Sequence, residues 1–195
     1  VALNMPTLVT DAPLAYQYWG HIEDSERVVV LLHGVGGSRD SWSDALSGTG
    51  SALAEAGFCA VAVDLPGYGH SALPEYLDMQ RMTTLVLETL WSLPRYCAAK
   101  LALVGHSMGG MVALDLIASA PQEIDAMVLL ATSPAFGRSD GAWQQEYLAQ
   151  RLSPLDAGRG MAKLAPGLVK GMASANAARD VVARAALLMS AVPEQ

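Results

Sequence analysis

A mostly parallel α/β sheet flanked by helices is the fold class that this sequence predicts, and three observations predict it. RVVVLLH at residues 27–33 is an unbroken β-branched and leucine run, as expected of a strand buried on both faces. FCAVAVD at 58–64, LALV at 101–104 and AMVLLAT at 126–132 repeat that character, with helical stretches between them. The runs at 27–33, 58–64 and 101–104 pass into glycine-rich turns, HGVGGS, LPGYG and GHSMGG. Strands alternating with helices imply a parallel sheet with right-handed crossovers.

The elements follow in chain order. Residues 14–18 can add an antiparallel strand before the first parallel one. Residues 43–57 read as helical pieces interrupted around Gly48 to Gly50. Residues 76–93 are helical, and Pro94 stops them. Residues 108–120 form the helix after GHSMGG, ended by Pro121. Near Gly137 the character changes, and no strand-like run follows. Residues 143–152 are one helix, closed by Ser153-Pro154, and 157–164 a second, closed by Pro166. Asn176 caps a third over 177–191, with Val181, Ala185, Leu188 and Met189 on one stripe. The expected division is an α/β core over 1–137 and a helical region over 138–195.

Composition narrows the function classes. The chain has 195 residues, 52% of them apolar and only 16% charged, which supports one packed core and excludes a disordered chain. A net charge of −7 without a basic stripe argues against nucleic acid. No apolar run approaches the roughly 20 residues of a membrane span. No signal peptide is visible, and Cys59 and Cys97 make no disulfide framework, so a cytoplasmic location is the expectation. Both cysteines read as structural. No metal-ligand spacing occurs, so neither a metal nor a cofactor is expected.

GHSMG carries the chemistry. A serine hydroxyl is a weak nucleophile and needs exposure and a base. A sharp strand-to-helix turn supplies the exposure and crowds the serine, so Gly105 and Gly109 must be small. The Met108 N–H and the helix start then face a developing oxyanion. The upstream Gly69-His70-Ser71 fails the same test. Leu73 stands where the second glycine is needed and no helix opens behind it, so it reads as turn chemistry. In HGVGGS, glycines flank Val35, and its N–H is placed as a second oxyanion donor. The same loop breaks GxGxxG at its third glycine, which disfavours a dinucleotide site. His33, His70, His21 and His106 are each poor candidates for the base. Asp64, before a Pro-Gly turn, reads as a capping carboxylate.

HGVGGSRDSW, DLPGYGHS and GHSMGG, in that order, resemble the α/β-hydrolase fold family over residues 12–137. Within it the chain is most similar to 3-oxoadipate enol-lactonase-type hydrolases, through LLATSPAFG and WQQEYLAQRLSPLDAG. The resemblance implies Ser107 as nucleophile, Val35 and Met108 as backbone oxyanion donors, and Gly105 and Gly109 as elbow glycines. It implies that His33 and Gly34 shape the oxyanion loop, that His106 supports the elbow and that Trp42 packs behind it. It implies that residues from Arg138 onward form a helical cap. The substrate would be a small-molecule ester or lactone, with no nucleic acid or membrane partner.

The sequence departs from that family in one respect. The family order is serine, acid, then histidine, and no histidine follows Ser107 here. Asp125, Asp140, Asp156 and Asp180 follow it, but none ends a strand in the family's manner. The expectation is therefore a piece of an intact hydrolase, with a C-terminally incomplete sheet, an exposed apolar edge and negligible turnover alone. The alternative is a non-catalytic ligand-binding or scaffold protein on a hydrolase core. Acyl transfer and carbon–carbon bond hydrolysis would use the same serine.

Overall fold

A computed structural model describes residues 5–94, 100–135 and 141–193. Its sheet has six strands in the order β1-β2-β4-β3-β5-β6. These are β1 Thr7–Val9, β2 Tyr16–Trp19, β3 Arg27–Leu32, β4 Cys59–Val63, β5 Lys100–His106 and β6 Ala126–Leu130. β3 to β6 pair in parallel, and β1 and β2 add an antiparallel edge. The mixed, mostly parallel sheet agrees with the expectation.

In β3 and β4 the unbroken apolar runs are explained by burial on both faces, whereas the run of β6 is mostly exposed. Val28, Val30 and Leu32 of β3 join Cys59, Val61 and Val63 of β4 in one core cluster. Helices α2 (Met79–Trp91) and α3 (Met108–Ser119) cover that face with Val86, Leu90, Val112 and Leu116. The alternate residues Val29, Leu31, Ala60 and Ala62 enter a second cluster with Trp19, Trp42 and Ala54. Ala60 and Ala62 are small because two indoles occupy that layer. Cys59 lies in the first cluster, and burial pushes its thiol up to about 12, as suits an inert core residue. Cys97 lies outside the described residues.

Three expectations need correction. Gly48 and Gly50 do not interrupt a helix. They begin one, α1 (Thr49–Glu55), with Gly48 as its left-handed cap. A Cβ on Gly50 would sit 2.5 Å from the Trp19 ring, so a glycine there lets α1 close on the sheet. Pro154 and Pro166 do not end their helices, because α4 runs Ala142–Asp156 and α5 runs Met161–Met172. Helix α5 continues past Pro166 because Ala165 and Val169 are buried with Met189 of α6, and that packing offsets the lost backbone bond. Asn176 is not a cap either. α6 spans Arg179–Ser190 with Ala178 at its cap position. Of its stripe, Met189 is buried and Val181 is exposed. The 137/138 boundary falls outside the described residues.

Strand β6 lies at the sheet's edge and leaves Val128, Leu129 and Leu130 exposed. No helix among the described residues is long and apolar enough to cross a membrane.

Candidate active site

Ser107 lies in the turn between β5 and α3, with φ 51° and ψ −116°. A non-glycine residue pays about 1–3 kcal/mol for such a conformation. The surroundings hold it there. The Ser107 N–H donates to the Leu130 carbonyl at 2.9 Å, at the end of β6. The Thr132 hydroxyl donates to the Ser107 carbonyl at 2.7 Å. Neither brace was legible in the sequence, because each comes from the neighbouring strand's end. LLATS marked that end without showing what it would touch.

The predicted glycines are sterically required. A Cβ on Gly105 would lie 2.5 Å from Gly110 Cα and 2.6 Å from the Gly109 carbonyl. One on Gly109 would collide with the Leu32 carbonyl oxygen. Gly110 belongs with them, though it was not singled out, because its Cβ would meet Thr132 at 2.6 Å.

The HGVGGS loop, where an oxyanion donor was expected, is brought against the elbow. A Cβ on Gly34 would stand 3.0 Å from Ser107 Cβ and 2.9 Å from His106 Nδ1. Val35 follows at that contact, with its side chain exposed. Met108 opens α3, where the first N–H groups have no helical partner. Among the described residues, neither the Val35 N–H nor the Met108 N–H has a protein acceptor.

None of the four histidines hydrogen-bonds to Ser107. His33 is buried, and both ring nitrogens are engaged. Nε2 accepts the Leu65 N–H at 3.0 Å, so Nδ1 carries the proton and donates to the Gly34 carbonyl at 2.8 Å. Burial holds its pKa below the ordinary histidine value, against opposing effects of Gly34 and Asp64. His33 therefore anchors the loop that carries Val35 to the Leu65 turn. His106 is exposed with its ring against Gly34, and desolvation lowers its pKa too. His21 and His70 are exposed loop residues.

The remaining candidates are structural. Asp64 is fully buried and accepts the N–H groups of Arg39 at 2.8 Å and His70 at 2.9 Å, and it is ion-paired with Arg39. Ser71 accepts the Ala15 N–H and donates to the Asp64 carbonyl. Asp125 accepts the Leu101 N–H at the start of β5, the opposite end of that strand from Ser107. Asp180 pairs with Arg184, Asp156 ends α4, and Asp140 lies outside the described residues. Among the described residues no group of three or more His, Cys, Asp or Glu is placed to hold a metal.

A cleft of about 470 Å³ opens beside this assembly. His106, Leu130 and residues 33–37 form its floor, and residues of α5 and α6 form its roof.

Comparison with known proteins agrees with this fold. A sequence profile described as the alpha/beta hydrolase fold matches residues 27–191. The chain is 33% identical over 108 residues to a pimeloyl-acyl-carrier-protein methyl ester esterase of Vibrio parahaemolyticus, covering 55% of this chain and 38% of that protein. It is 37% identical over 108 residues to an esterase of Mycobacterium tuberculosis, covering 55% of this chain and 33% of that protein. The chain thus spans less than half the length of these curated relatives. A crystal structure of a hydrolase from Pseudomonas aeruginosa superposes with a TM-score of 0.72 at 23% identity, over 97% of this chain and 68% of that one.

Proposed function

The chain belongs to the α/β-hydrolase fold family, and from that premise we propose that it is the nucleophile-bearing part of a carboxylic ester hydrolase. The observation that carries this is Ser107 itself, a strained serine braced on both backbone groups at the start of a helix. Non-glycine residues held in such a conformation cluster at functional sites. The esterase names of its relatives support the same reaction class.

Ser107 Oγ attacks the ester carbonyl, and the Val35 and Met108 N–H groups hold the tetrahedral oxyanion. The base is a histidine outside residues 1–195, since His33 has both ring nitrogens engaged elsewhere, none of the four is hydrogen-bonded to Ser107 and none follows it in sequence. That histidine takes the serine proton and returns it to the leaving oxygen. Water then releases the acyl group from Ser107. Helices α5 and α6, which roof the cleft, act as a cap over the site. Lactones enter the same class with a tethered leaving group, and the resemblance to enol-lactonases supports including them. A cytoplasmic site of action is part of this proposal.

The test is hydrolysis of small methyl and aryl esters by the product of the whole reading frame, with Ser107→Ala beside it. Turnover that vanishes in the variant supports the proposal. Turnover that survives it, or none in the whole product, refutes it. The 195-residue chain alone is expected to show negligible turnover, because without its base the serine retains at best about 10³–10⁴-fold over water.

A further inference from the structure

Resting on that reading of the site, we propose that the cleft between the oxyanion loop and the cap helices selects esters with an uncharged, apolar arm and rejects those whose arm ends in a carboxylate. Trp42 and Val169 line it together with Met172, Val181, Leu188 and Met189. Among the described lining residues there is no Lys, Arg, Asp or Glu. Its only titratable members are His33 and His106, and desolvation biases both toward the neutral form. Neither offers a countercharge to an anion. A carboxylate carried into this cleft would lose its hydration and find no cation.

The apolar surface is also left open to solvent. Met172 is 57% and Val181 39% exposed, although both face a concavity. Exposed apolar side chains gathered in a cleft mark a ligand surface rather than a packing defect. The cleft reaches Val35 and His106, the residue before Ser107. Met189 Cε lies 2.5 Å from where a Cβ on Gly36 would stand, so α6 closes directly on the loop that carries Val35. An apolar arm lying under Val181 and Met189 therefore extends from the oxyanion loop itself. The overall charge of −7 opposes an anionic arm as well.

A matched pair tests this. Methyl hexanoate and monomethyl adipate differ only in a terminal methyl against a carboxylate. Each is titrated against the neutral fluorophore N-phenyl-1-naphthylamine bound to the whole-frame protein carrying Ser107→Ala, so that binding is read without turnover. Methyl hexanoate is expected to displace the fluorophore at about tenfold lower concentration or better, the equivalent of at least one poorly compensated charge. Val181→Arg places a cation at the cleft, at an exposed position that tolerates it, and is expected to raise monomethyl adipate affinity by about tenfold. Equal displacement by the two esters, or a ratio unmoved by Val181→Arg, overturns the inference. Hydrolysis of the pair by the protein with Ser107 intact separates the two claims. Equal kcat/KM for both esters sinks the apolar selection and leaves the hydrolase standing. Selective binding with hydrolysis of neither sinks the hydrolase and leaves the cleft standing.

Discussion

Replacing Ser107 by glycine should make the protein more stable than replacing it by alanine. Both variants remove the hydroxyl, so the comparison isolates the Cβ. With φ at 51° and ψ at −116°, that Cβ stands against its own backbone in a region that glycine alone enters freely. The strain is about 1–3 kcal/mol. Glycine returns roughly 0.5–1 kcal/mol of it through the greater freedom of the unfolded chain. A net gain of about 0.5–2 kcal/mol remains. For a chain of this length, 1 kcal/mol moves the melting temperature by about 2–4 °C. Ser107→Gly should therefore melt roughly 1–8 °C above Ser107→Ala, with a matching rise in urea midpoint at unchanged slope. Thermal and urea denaturation of the two variants side by side measure this. A glycine variant at or below the alanine variant would show that the turn is relaxed around a Cβ, and the strain argument for the nucleophile would fall with it.

Other positions give independent checks. Gly105→Ala should cost about 1–3 kcal/mol in urea unfolding, because its Cβ meets only backbone, whereas Gly171→Ala, in a helix with open space around it, should gain roughly 0.5–1 kcal/mol. Asp64→Asn should cost about 3 kcal/mol by leaving the nearly buried Arg39 guanidinium without its anion, read as a fall in melting temperature. His33 sets an acid dependence. Its folded pKa is depressed, so as pH falls below about 6.5 the unfolded chain binds a proton that the folded chain refuses. Its contribution is whole above that pH and declines below it, by at most about 1.4 kcal/mol per pH unit, until the folded value is reached. His33→Gln should start less stable yet lose less between pH 6.5 and 5, and parallel slopes for the two proteins would contradict the assignment.

How much was legible depends on what each residue's role requires. The core strands β3 and β4 were readable because burial on both faces demands unbroken apolar runs. Strand β1 was not, since Thr7–Val9 is short, at an edge and mostly exposed. Proline misled at 154 and 166, where local rules favour an end and packing against α6 carries α5 onward. At the site, the glycines of GHSMG were readable because a crowded turn admits no other residue there. Leu130, Thr132 and Met189 were not, because what matters about them is a contact across strands or between cap and loop. Their residue types would fit many other roles.

The distribution of those contacts bears on how the site is assembled. The elbow receives constraints from four elements: β5 leads into it, α3 leaves it, β3 abuts Gly109 and β6 braces Ser107. All four lie within residues 27–132, so the strained serine forms without any contribution from a triad acid or a base histidine, while His33 anchors the loop that carries Val35. Nucleophile geometry and proton transfer are thus separable in this fold. The strain is held by packing, and a base added from elsewhere would find the serine already positioned. Exposed Leu129 and Leu130 continue the strand whose end braces Ser107. A segment that covered β6 would therefore also stiffen the elbow, linking the burial of that edge to the precision of the nucleophile.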